Sequence, residues 1–192
     1  MSDPTPDGTD TAPTANTGPV VPTAWGVPVV ESGGQTVLHP PVDRWLETVA
    51  ACRDDGFCMA IDVAAVDYSA HPGRTDLPPG VEPERFEVVA SLISHASGCR
   101  VRLRTQVPEH DPVVPSLFDL FPGTEAMERE VYDLYGVGFE GHPDLTRILM
   151  PEEWQGHPQR KDYPLEGPGE LLMESPMEWL RLRNLPDEVE IE

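Results

Sequence analysis

Positive charge is scarce in this 192-residue chain: 13 lysines and arginines stand against 34 aspartates and glutamates, for a formal net charge of −21. Such a surface repels nucleic-acid phosphate and anionic lipid alike, which argues against nucleic-acid binding. It suits either a free soluble protein or a subunit with basic neighbours, and charge alone does not separate the two. Cysteine is sparse as well. Cys52, Cys58 and Cys99 form an odd set without CxxC spacing, as expected of buried structural thiols in a reducing compartment. An iron–sulfur cluster normally needs four thiolates, so the chain is expected to carry none unaided. Long apolar runs are also missing: Met59–Val66 falls far short of the roughly 20 residues that span a bilayer. The N-terminal stretch MSDPTPDGTDTAPTANTGP lacks the basic flank and apolar run of a secretory signal, which points to the cytosol.

What is present suggests one core with extensions. Residues 1–22 offer almost no large apolar side chain to repay the entropy of ordering, and read as a disordered tail. From Pro41 to Asp55, Val42, Trp45, Leu46 and Val49 recur at helical spacing, with Gly56 just past the end. Three alternating runs then read as strands: Phe57, Met59, Ile61, Val63; Phe86, Val88, Ala90, Leu92; and Val101, Leu103, Thr105, Val107. Arg100, Arg102 and Arg104 line the other face of the third, either as a solvated face, the simpler reading, or as a docking edge. A second helix starts at Thr124, with Met127, Val131, Leu134 and Tyr135 on one face and a Glu125, Arg129, Asp133 charge ladder four apart. Beyond Gly136, repeated prolines forbid a long helix. Leu145, Ile148, Leu149, Trp154 and their successors are therefore expected to need a surface from elsewhere, and Arg147, Arg160 and Lys161 lie in this extended stretch.

Gly136-Val-Gly138-Phe-Glu-Gly141 spells GxGxxG, but it follows a helix instead of opening one. Gly136 is better read as a left-handed C-cap and the other glycines as turn positions. His142 and His157 sit in paired Gly-His-Pro triplets without ligands at metal spacing, so each is expected to fix a turn by bonding nearby backbone. Glu128 and Glu130, at i and i+2, point about 200° apart around a helix and cannot share a proton.

Residues 128–150, EREVYDLYGVGFEGHPDLTRILM, and 154–165, WQGHPQRKDYPL, resemble the signature of the complex I 30 kDa subunit family, the C-type subunit of NADH-quinone oxidoreductases. Glu128, Arg129, Glu130 and Asp133 carry the match on the helix; His142, Pro143, Asp144 and Arg147 carry it in the first triplet region. His157, Arg160, Lys161, Asp162, Tyr163 and Pro164 complete it. The sequence departs from the signature at Thr146, where a basic residue or proline is usual, and at Ala126, where tryptophan is common. The resemblance implies an α+β fold, a small mixed sheet backed by helices over 23–141 behind the tail at 1–22, and a C-terminal segment, 142–192, that wraps along a partner. It implies a peripheral-arm subunit of a proton-translocating NADH-quinone oxidoreductase, without redox centre or catalytic residues of its own. Such a subunit packs against the 49 kDa (D) subunit, near the B and I subunits, on the cytoplasmic face of the membrane. FMN, iron–sulfur clusters and quinone belong to the complex as a whole. A ferredoxin- or F420-fed dehydrogenase or an energy-converting hydrogenase uses a similar subunit. The alternative of another class is a free-standing cytosolic enzyme or nucleotide-binding module whose site is built from Asp133, His142, His157 and Arg160.

Overall fold

Two glycines close the first hairpin of the sheet. Gly33 and Gly34 both adopt positive φ, 58° and 74°, the conformation a two-residue hairpin turn requires. They join strand β2 (Val27–Ser32) to β3 (Gln35–Leu38) in antiparallel register. A similar turn at Trp25-Gly26 adds the two-residue β1 (Thr23–Ala24). The computed structural model describes residues 21–71 and 73–164. The expectations for residues 1–20 and 165–192 lie outside them. Val21 and Pro22, at the end of the anticipated tail, are described, and the Pro22 carbonyl accepts the Val29 N–H at 3.0 Å.

With β4 (Met59–Asp67), β5 (Phe86–Ile93) and β6 (Arg100–Val107), the main sheet among the described residues has six strands in the order β1-β2-β3-β6-β5-β4. Strand β3 runs parallel to β6 (Arg100–Val107), and the other neighbours are antiparallel, so the sheet is mixed. The alternation in β5 (Phe86–Ile93) and β6 holds as expected: Phe86, Val88, Ala90, Leu92, Val101, Leu103, Thr105 and Val107 are all buried. Burying one such aliphatic or aromatic side chain contributes roughly 1.5–3 kcal/mol. Against this face pack helices α1 (Trp45–Asp54), preceded by a 3-10 turn at Val42–Arg44, and α2 (Glu125–Tyr135), preceded by one at Pro122–Thr124. Trp45, Val49, Cys52 and Val131 are the helical share of that core. Two short strands, β7 (Val113–Pro115) and β8 (Gly138–Glu140), form a separate parallel pair. No helix among the described residues is long and apolar enough to cross a membrane.

Four local expectations are corrected. Strand β4 (Met59–Asp67) does not keep one face along its length. A bulge between Ala60 and Asp62 flips the alternation, so Ala60 and Val63 oppose the buried Leu92 and Ala90 while Met59 and Ile61 are left exposed. The arginine stripe is neither wholly solvated nor a plain docking edge. Arg104 bonds the buried Glu87 (Nε–Oε1 2.7 Å) and Asp76 (2.6 Å), and Arg74 bridges the same two carboxylates, which fastens the loop after β4 to the back of the sheet. Only Cys52 is a buried thiol, and burial together with Asp55 pushes it up to about 12; Cys58 and Cys99 are exposed. Gly138 lies in a strand instead of a turn, whereas Gly136, at φ 71°, is the left-handed cap.

Candidate docking segment on helix α2

Helical geometry leaves the last four carbonyls of α2 without partners in the helix. Gly136 turns the chain and returns its N–H to the Tyr132 carbonyl at 2.8 Å. The other three carbonyls are capped by residues from 147 onward. His157 Nδ1 donates to the Asp133 carbonyl at 2.9 Å and Arg147 Nη1 reaches it at 3.2 Å. The Gln159 N–H donates to the Leu134 carbonyl at 3.0 Å, and Arg160 Nε to that of Tyr135 at 2.6 Å. Two guanidinium groups thus lie at the negative end of the helix dipole. A Cβ at Gly136 would come within 2.5 Å of His157 Nε2 and 2.6 Å of Arg160 Nη2, so close approach demands glycine as much as φ does.

Asp133, fully buried, organises the turn that follows. Its Oδ1 accepts Arg147 Nη1 at 2.6 Å, and its Oδ2 accepts the successive N–H groups of Ile148, Leu149 and Met150 at 3.1, 2.8 and 2.8 Å. Burial alone would raise the pKa of this carboxyl; the bonds from Met150, Arg147, Leu149 and Ile148 outweigh it and hold the group below its ordinary value. Arg147 Nη2 continues to the carbonyls of Trp154 and Gly156, each at 3.0 Å, and closes residues 147–156 into a loop. The helix charge ladder is therefore not formed. Arg129 instead donates from Nε to the Thr146 carbonyl (3.1 Å) and from Nη2 to Thr146 Oγ1 (3.0 Å) and the Arg147 carbonyl (2.9 Å). At Thr146, where the sequence departs from the signature, the hydroxyl serves as an acceptor; Ala126 is exposed.

At the other end of α2, His142 donates from Nε2 to the Glu125 carbonyl and accepts the Asp144 N–H at Nδ1, both at 3.1 Å, which fixes the turn as expected. His157 departs from that expectation by reaching the helix and not its own neighbours. Glu128 is fully buried and receives Ser116 Oγ, the Leu117 N–H and Thr124 Oγ1. Burial still raises its pKa against those bonds. Glu130, Pro143, Asp144 and Pro164 are exposed. The segment leaves past the end of β4: the Lys161 N–H donates to Asp67 Oδ2 at 2.9 Å, and Arg85 joins Asp67 (3.0 Å), Asp162 (2.8 Å) and Glu109. Burial raises the Asp67 carboxyl, but Arg85 and the Ser69 and Lys161 N–H groups bring it down to about 2.

Residues 142–164 form no helix or strand, in keeping with their prolines, yet they are folded onto their own domain. Leu145 packs against the core, and Met150, Trp154, His157, Arg160 and Tyr163 are half-buried. Of the apolar side chains anticipated to need a foreign surface, Ile148 and Leu149 remain 41% and 60% exposed. The arginine expected to reach outward, Arg160, commits its Nε internally. Asp67, Arg85 and Ser116 lie in no motif of the sequence; the one signal for Asp67 is an ionisable residue ending a largely apolar strand. The four side chains of the enzyme alternative are not assembled: His142 bonds the Glu125 carbonyl in the first turn, roughly 12–15 Å along the axis from the other three at the last. Among the described residues no group of three or more His, Cys, Asp or Glu is placed to hold a metal.

Residues 38–169 match the family described as the respiratory-chain NADH dehydrogenase 30 kDa subunit. NADH-quinone oxidoreductase subunit 5 of Thermus thermophilus is 42% identical over 148 residues, covering 74% of this chain and 68% of that protein. The C subunit of the Bordetella petrii NADH-quinone oxidoreductase is 42% identical over 154 residues, 76% of this chain and 74% of that one. Among solved structures, a trypsin-resistant fragment of Nqo5 superposes with a TM-score of 0.56 at 38% identity, covering 62% of this chain and 90% of the fragment. A chain of the membrane-bound sulfane sulfur reductase, an archaeal respiratory membrane complex, shares the fold alone: TM-score 0.58, 23% identity, 85% of this chain and 86% of that one.

Proposed function

Because this chain belongs to the respiratory-chain NADH dehydrogenase 30 kDa subunit family, we propose that it is a peripheral-arm subunit of a proton-translocating NADH-quinone oxidoreductase. In this reading it packs against the 49 kDa (D) subunit, with the B and I subunits nearby, on the cytoplasmic face of the cell membrane. It holds no redox group of its own, since three cysteines fall short of the thiolates a cluster normally needs. FMN, iron–sulfur clusters and quinone belong to its neighbours, and the chain supports electron transfer from NADH to quinone by fixing their geometry.

One observation carries the reading: the polar residues of the signature act as fasteners between α2 and residues 142–164. Asp133, Arg147, His157 and Arg160 are committed to main-chain groups and to each other. A surface that is stiffened in this way, with an aliphatic pair left outside, suits docking better than chemistry. The test is purification of the tagged full-length chain from membranes of its host in mild detergent. The 49 kDa subunit and the B and I subunits should co-purify with NADH-quinone oxidoreductase activity, and deletion of the gene should abolish that activity. Recovery of the chain alone from the soluble fraction, with membrane activity intact in the deletion, would overturn the proposal.

A further inference from the structure

The loop 147–156 points to a specific anchor. We propose that Ile148 and Leu149 form an aliphatic plug that seats in an apolar pocket with a basic rim on an adjoining subunit of the same complex; this rests on the subunit reading above. The two side chains are adjacent and 41% and 60% exposed, whereas Leu145 and Trp154 of the same segment turn inward. Their backbone is held before any partner arrives: Asp133 Oδ2 takes the N–H groups of residues 148, 149 and 150, and Arg147 ties the two ends of the loop. A side chain displayed on a pre-ordered backbone loses little conformational entropy on docking, which is how a small apolar contact becomes a dominant one. Glu152 and Glu153, exposed and three to five positions further along the same loop, pair with no cation among the described residues. They set the sign of the rim they would meet. A second copy of this chain is a poor occupant, because two molecules of net charge −21 repel.

The experiment uses a host that assembles the complex and expresses two full-length copies with different tags. The complex is purified through a tag on another subunit, and the ratio of the two copies is measured by mass spectrometry. Two wild-type copies should be incorporated equally. Ile148→Ser with Leu149→Ser should fall at least about tenfold behind wild type, while the isolated variant melts like wild type because both side chains lie outside the core. Glu152→Lys with Glu153→Lys should also fall behind, with a deficit that shrinks at high salt. Equal incorporation of the serine variant overturns the plug alone. Unchanged or improved incorporation of the lysine variant overturns the basic rim. If the isolated chain sediments as a dimer that the serine substitutions dissociate, the occupant is a second copy and the proposal fails. Absence of the wild-type copy from any membrane complex overturns the subunit reading, and this inference with it.

Discussion

Removing the Asp133 carboxylate strands four donors at once: the Arg147 guanidinium and the N–H groups of Ile148, Leu149 and Met150. Asp133→Ala is expected to lower stability by roughly 3–5 kcal/mol, the cost of breaking a buried ion pair from one side. A shift in the urea midpoint at constant slope reads this directly; a loss under about 1 kcal/mol would mean that the pair behaves as an exposed one. His39 sets a different expectation. It is buried, neither ring nitrogen has a hydrogen-bond partner, and burial with help from Arg104 brings its pKa from 6.5 down to about 4. The unfolded chain thus takes up the proton first, so stability present above pH 6.5 is lost as pH falls toward 4, by up to roughly 3 kcal/mol. His39→Leu should flatten that part of the stability–pH curve without lowering stability at neutral pH. His157, also held below its ordinary value, leaves a residual slope. Lys161 has an exposed side chain while its N–H is fixed on Asp67. Lys161→Glu is expected to leave the melting temperature unchanged and to weaken co-purification with the proposed partner, the 49 kDa subunit; unchanged co-purification would remove this side chain from the proposed interface.

At the scale of the element, α2 depends on its C-terminal turn. Gly136→Ala forces a left-handed residue to carry a Cβ and displaces His157 and Arg160 from the Asp133 and Tyr135 carbonyls. The expected loss exceeds the roughly 1 kcal/mol of backbone strain alone, with faster amide exchange confined first to the last turn of α2. How far each element was legible follows from the same physics. Strands β5 and β6 could be read from Phe86 to Leu92 and Val101 to Val107 because nothing interrupts their period of two. Strand β4 could be read as a strand but not by its buried face, since one bulged residue at Ile61 reverses every later side chain. The ribbon β1–β3 leaves little pattern in the sequence because its strands are short and its signal lies in the Gly33-Gly34 turn. The apolar face of α2 was visible in Met127, Val131 and Leu134. Its polar partners were not: Arg147, His157, Gln159 and Arg160 meet main-chain carbonyls, and a bond to backbone leaves no pattern in side-chain spacing.

For the whole molecule, the capping bonds make residues 142–164 part of the domain on which they lie. A chain ending at Pro164 should keep the α2 caps and the Asp67–Arg85–Asp162 fastening, whereas one ending at Gly141 loses both. Thermal melting by circular dichroism is expected to place the shorter chain well below the longer one; equal midpoints would show that the segment adds nothing to the fold. The sheet itself is closed across a long stretch of chain, for Leu38 pairs with Leu103, 65 positions later. On the ribosome the N-terminal ribbon therefore emerges early and waits for β6 to be made, about 3–13 s at typical elongation rates of about 5–20 residues per second. Throughout that interval the free margin of β3 is a template for a neighbouring nascent chain. It is only four residues long, Gln35 to Leu38, and begins with the polar Gln35 and Thr36, which keeps that opportunity for mispairing between polysome neighbours small.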